Sequence, residues 1–74
     1  MIETKRQAQA AIAEIRELTG WTDAEIARRA GVHKSTIGRI VTGKMSFPGY
    51  DTRLALVNIL IYARGIDQDN KFDN

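Results

Sequence analysis

Between Thr22 and Lys44 the chain carries two short helical patterns separated by one glycine, an arrangement that forces two helices to cross at close range. Thr22 and Glu25 have capping-box spacing, in which each side chain satisfies a free amide at a helix start. Trp21 precedes the cap and is placed to pack on Ile26 as a hydrophobic staple. Only about two turns fit before Gly31, a residue suited to the left-handed conformation that ends a helix. A second helix follows, with Val32, Ile37 and Ile40 as its apolar positions.

Two helices joined by a tight glycine turn form a helix-turn-helix, whose second member lies in the DNA major groove. The spacing of Ile26, Ala27, Ala30, Gly31, Val32, Ile37 and Ile40 resembles that of phage lambda-type repressors, Cro proteins and the wider XRE-like family. Small Ala27 and Ala30 let the second helix cross close over the first, and the branched residues fill the wedge. The short loop that begins Gly43-Lys44 is similar to that of the family, and the likeness extends over residues 21–60. It implies a compact all-α, lambda-repressor-like domain of four helices, or five if the tail adds one. The helix-turn-helix falls at about residues 23–41.

Size and composition agree. Seventy-four residues are expected to form one domain, with the helix-turn-helix unit at 1–65 and a polar tail at 66–74. A domain this short buries only about 60% of its unfolded surface, and no room is expected for a separate effector-binding domain. The absence of cysteine rules out a disulfide framework and a thiolate metal site, which suits a reducing cytoplasm. Residues 1–4 are acidic and lack an apolar stretch, so no signal peptide is expected. The apolar runs at 54–57 and 59–63 fall far short of the roughly 20 residues of a membrane span.

The net charge is only +2, but it is unevenly placed. From 26 to 50 the chain carries Arg28, Arg29, Lys34, Arg39 and Lys44 and no acid, whereas the segments on either side are each net acidic. A polyanionic partner is the simplest reason for that asymmetry. A merely solvated face is the alternative.

The rest of the chain reads as scaffold. Thr4 and Gln7 offer a capping box for a helix over 5–18, with Ala8, Ala11, Ile12, Ile15 and Leu18 at spacings of three and four and Gly20 as its stop. Pro48 and Gly49 mark a loop, and Tyr50 or Asp51 begins a last helix that Gly65 is expected to end. Leu54, Leu56, Val57, Ile59, Leu60, Ile61 and Tyr62 surround most of that helix, more than a monomer's surface helix needs. If Leu54, Val57 and Ile61 face the core, then Leu56, Ile59, Leu60 and Tyr62 remain for a homodimer interface. The alternative is a helix inserted deep into a small core.

With Val32, Ile37 and Ile40 inward, the second helix of the motif turns Lys34, Ser35, Gly38 and Arg39 outward as base-contacting residues. Lys34 and Arg39 can donate to guanine O6 and N7, and Gly38 lets the backbone approach the groove unless it relieves crowding against a neighbouring helix. Thr22, His33, Thr42, Lys44 and Ser46 are the expected phosphate contacts, Thr22 through the amides at its helix start. Arg28 and Arg29 lie at the far end of their helix and contribute field or solubility. Where the resemblance implies a Gln, this chain has Asp23, which cannot donate to phosphate. Relatives also place basic residues around Ser46 and Gly49, and this chain does not.

His33 has no cysteine or carboxylate at ligand spacing, so no metal, no other cofactor and no catalytic group is expected. Two functions remain: a Cro-like repressor, dimeric on a pseudo-palindromic operator in double-stranded DNA, or an antitoxin whose apolar last helix holds a toxin while it autoregulates its operon.

Overall fold

Thr4 and Gln7 open the first helix through a reciprocal pair of bonds. Thr4 Oγ1 accepts the Gln7 amide at 3.1 Å, and Gln7 Oε1 accepts the Thr4 amide at 3.0 Å. The computed structural model describes residues 2–44 and 47–72, with side chains through residue 66. Its order is α1 (Lys5–Thr19), α2 (Asp23–Ala30), α3 (Lys34–Thr42) and α4 (Tyr50–Phe72), with no strand among the described residues. The all-α, four-helix expectation holds, with the helix-turn-helix formed by α2 and α3.

Each of the first three helices ends on a left-handed glycine: Gly20 at φ 74°, Gly31 at 72° and Gly43 at 76°. Their amides return to carbonyls of the last turn, for example Gly20 to Arg16 at 2.8 Å. That conformation has no Cβ penalty only for glycine, which is why the stops at Gly20 and Gly31 are legible. Gly65 behaves differently. It has no positive φ, and α4 runs through it to Phe72. The expected helix end at Gly65 is therefore corrected. Glycine inside a helix costs about 1 kcal/mol, which does not break it without a following proline. The tail expected at 66–74 is helical as far as Phe72, and this continuation takes the place of a separate fifth helix.

The core is methyl-rich and has no buried aromatic or charged member among the described residues. α1 supplies Ala8, Ala11, Ile12 and Ile15, as its spacing predicts; α2 and α3 supply Ile26, Ala27, Ile37 and Ile40. Ile2 also belongs to the core, and its carbonyl accepts from Arg53 Nη1 at 3.4 Å. α1 lies chiefly against α4, and α2 against α3.

α4 meets this core on a side other than the expected one. Leu56 is fully buried and Leu60 is 4% exposed, whereas Leu54 is 45% and Ile61 56% exposed. Leu56 and Leu60 are core residues rather than dimer-surface residues. Ile59 is half-buried against the core, and of the four expected interface residues Tyr62 alone is exposed. Apolar residues surround the helix, so periodicity alone does not choose a face. The buried stripe is set by Leu56 and Leu60 together with Ala63, which is fully buried one turn further along. On α4 Arg64 then reaches Glu14 of α1 with two bonds, at 2.6 and 3.0 Å. Hydrogen bonding to this guanidinium holds the Glu14 carboxyl below its ordinary value.

The orientation of α4 has a direct test. Leu56→Ala removes a buried side chain and should cost about 2–5 kcal/mol, while Leu54→Ala should stay within about 0.5 kcal/mol of the parent. Urea unfolding of the two variants checks this, and equal costs would contradict the packing.

Candidate nucleic-acid interface

α3 turns Ile37 and Ile40 into the core and half-buries Val32, as the inward set requires. The opposite side carries His33, Lys34, Ser35, Arg39 and Thr42, all exposed, with Lys44 just beyond the Gly43 cap. Gly38 sits half-buried among them. Ser46 lies outside the described residues.

Ion pairing narrows the positive surface. Glu25 takes Arg28 at 2.6 Å and Arg29 at 3.1 Å, and the Arg29 guanidinium lies 3.9 Å over the Trp21 ring. Trp21 packs on the edge of the core and stacks on Tyr62, with ring centroids 6.3 Å apart. Arg29, read from sequence as field or solubility, thus serves the seam between α2 and α4, while Arg28 is paired within α2. The remaining cations of the 26–50 segment, Lys34, Arg39 and Lys44, have no acidic partner among the described residues. All three lie on α3 or its exit.

The same clamp alters the start of α2. Thr22 Oγ1 accepts the Glu25 amide at 3.2 Å, but Glu25 turns its carboxylate to the arginines instead of back to the Thr22 amide. The capping box is half formed, because two guanidinium partners outweigh one amide. Asp23 faces Arg16 at 3.8 Å, so its charge is directed at α1.

His33 caps α3, a role that the sequence reading missed. Its Nδ1 accepts the Ser35 amide at 3.1 Å and lies 2.8 Å from the Ser35 hydroxyl. A ring nitrogen that accepts leaves the proton on Nε2. Histidine is an uncommon N-cap, and the usual preference for Ser, Thr, Asp and Asn hides it. Thr42 Oγ1 donates to the Gly38 carbonyl at 3.0 Å, so in this rotamer its proton is spent within the helix. Gln9 was also missed. From α1 its Nε2 donates to the Val41 carbonyl at 3.3 Å and ties the end of α3 to the scaffold.

Gly38 has no internal cause. A Cβ built there meets nothing within 4 Å, which removes crowding against another helix as its reason. Gly38→Ala should therefore raise stability by about 1 kcal/mol, the helix-propensity difference, read as a higher melting temperature. A lower one would mean that α3 needs the glycine for its own fold.

No helix among the described residues is long and apolar enough to cross a membrane, and no group of His, Cys, Asp and Glu there has the geometry of a metal site. No curated relative and no solved structure matches the chain. A family model does: the one described as Helix-turn-helix matches residues 12–49, from the buried face of α1 through α2, α3 and the loop after them. With more than half of its length inside that match and its α2–α3 pair built around Gly31, the chain belongs to the XRE-type, lambda-repressor/Cro-like helix-turn-helix family and is a DNA-binding transcriptional regulator of that type.

Proposed function

We propose that the chain is a sequence-specific repressor of the small Cro-like kind, which binds a pseudo-palindromic operator as a dimer. The observation that carries this reading is the outer side of α3, where Lys34 and Arg39, without an acidic partner among the described residues, flank a glycine that the fold itself does not require. Two-fold symmetry sets the half-site centres about 34 Å, or ten base pairs, apart. Occlusion of polymerase is the least demanding mechanism for so small a domain.

Within that reading the contacts sort by reach and chemistry. Lys34 and Arg39 donate to guanine O6 and N7, Arg39 in the bidentate manner that a guanidinium permits. Ser35 adjoins them, its hydroxyl already shared with His33, and Gly38 brings the backbone against base edges. Lys44, the His33 Nε2–H and the open amides beside Thr22 hold phosphates on the two flanks. Thr42 joins that set only by leaving its bond to Gly38. Ser46 keeps its place as a proposed phosphate contact from sequence position alone.

Affinity should fall steeply with salt. If six to eight phosphates are neutralised per dimer, log Kd against log salt has a slope of magnitude about 5 to 7. A nearly flat dependence, measured by fluorescence anisotropy on a labelled duplex, would defeat the assigned surface. Arg39→Ala should reduce discrimination between cognate and random DNA, each good bidentate contact being worth about 1–3 kcal/mol. Lys44→Ala should weaken both alike, and Gly38→Ala should weaken cognate binding while stabilising the fold. Competition binding after selection of a cognate site from random duplexes reads all three; equal effects on both DNAs for Arg39→Ala and Lys44→Ala would contradict the sorting.

A further inference from the structure

Beside the Trp21–Tyr62 stack, α2 and α4 leave a cleft of about 300 Å³ between them. Its lining divides by chemistry. Ala55 and Ile59 of α4 are half-buried and apolar, Trp21 and Tyr62 offer aromatic rings, and Arg29 and Asn58 supply polar groups. None of these residues belongs to α3, so the cleft lies apart from the candidate DNA-reading side. Its size falls at the lower end of the roughly 300–1,000 Å³ of small-molecule sites, and a few polar groups among apolar ones is their usual composition. A small ring compound fits such a volume; a dinucleotide does not.

Charge selects the occupant first. Glu25 gives one carboxylate to two guanidiniums, those of Arg28 and Arg29, so this group of side chains keeps an excess of one positive charge. Arg29 meets Glu25 through Nε at 3.1 Å, and its two Nη groups have no acceptor among the described residues. No acid lines the cleft. Guanidinium donors left in this state suit a carboxylate, which accepts two of them at once.

Shape selects second. The Trp21 and Tyr62 rings lie within 20° of parallel with centroids 6.3 Å apart, and the Arg29 guanidinium lies 3.9 Å over the indole. Flat groups set nearly parallel favour a planar partner over a branched one. The exposed Asn58 side chain has no hydrogen-bond partner among the described residues and can serve a polar substituent on the ring. We propose that this cleft binds a small planar aromatic carboxylate. Its ring rests on Trp21, Tyr62 and Ile59, and its carboxylate accepts from the Nη groups of Arg29. The proposal goes beyond the DNA-binding reading and does not depend on it.

Three probes separate charge from ring: naphthoate, its neutral amide, and octanoate, which keeps the charge without the ring. Proton–nitrogen correlation spectra of the full chain follow each titration. Naphthoate should shift the Trp21 indole and Asn58 side-chain signals and saturate with a Kd below about 1 mM. The amide and octanoate should each bind about tenfold more weakly or worse. Arg29→Gln should weaken naphthoate by about tenfold or more and leave the amide unchanged. Asn58→Asp, at an exposed position, sets an acid in the lining without touching the core and should have the same selective effect. Equal binding of the three probes, or naphthoate binding that neither variant alters, would overturn the site. So would shifts centred on Lys34, Arg39 and Lys44, which would mark plain attraction of an anion to the basic side of α3. No DNA enters the assay, so its failure leaves the repressor reading untouched.

Discussion

The close crossing of α2 over α3 is the constraint on which the rest depends. Ile26 and Ala27 on one side and Ile37 and Ile40 on the other are all buried, and Gly31 turns the chain between them in a conformation denied to most residues. Burial at roughly 25 cal/mol per Å² gives the wedge its stability, and the small Ala27 sets how near the helices come. Once those side chains point inward, the helical period leaves Lys34, Ser35 and Arg39 no direction but outward. The proposed reading surface is a by-product of the packing, which is why a chain this small can present it with few other resources.

α1 and α4 hold that pair from behind. The Glu14–Arg64 bonds and the packing of α1 on α4 brace the scaffold, while the Gln9 amide reaches across to the end of α3. Arg53 pins the start of the chain through the Ile2 carbonyl. On the other side the Trp21–Tyr62 stack closes α2 against α4. α3 is thus fixed by its turn, by its core residues and by a side-chain tie near its C-terminus.

Legibility followed the physics of each signal. The α1 capping box, the left-handed stops at Gly20 and Gly31 and the inward residues of α3 were readable, because each depends on local geometry that few residue types satisfy, whereas Gly43 entered only as the start of a family-like loop. The face of α4 was not readable. Its apolar residues surround the axis, and Ala63, which shares the buried stripe, carries too little hydrophobic weight to mark it in the sequence. Glu25 shows a second limit: a box motif predicts a bond to an amide, and only the fold reveals that Arg28 and Arg29 compete for the same carboxylate. Gly65 shows a third, since a glycine stops a helix only where the chain takes positive φ. At the candidate interface the outward positions were legible from period alone. The hydroxyl and imidazole partners of Ser35, Thr42 and His33 were not, because they depend on rotamers.

The lone tryptophan has a practical consequence. Its indole is half-buried at the α2–α4 junction, with a guanidinium on its ring and a phenol stacked beside it. The intrinsic emission of the protein is therefore a probe of that one junction, whereas far-ultraviolet dichroism averages over every helix. Comparing the two signals during unfolding would reveal whether the reading pair detaches from α4 before the helices themselves melt.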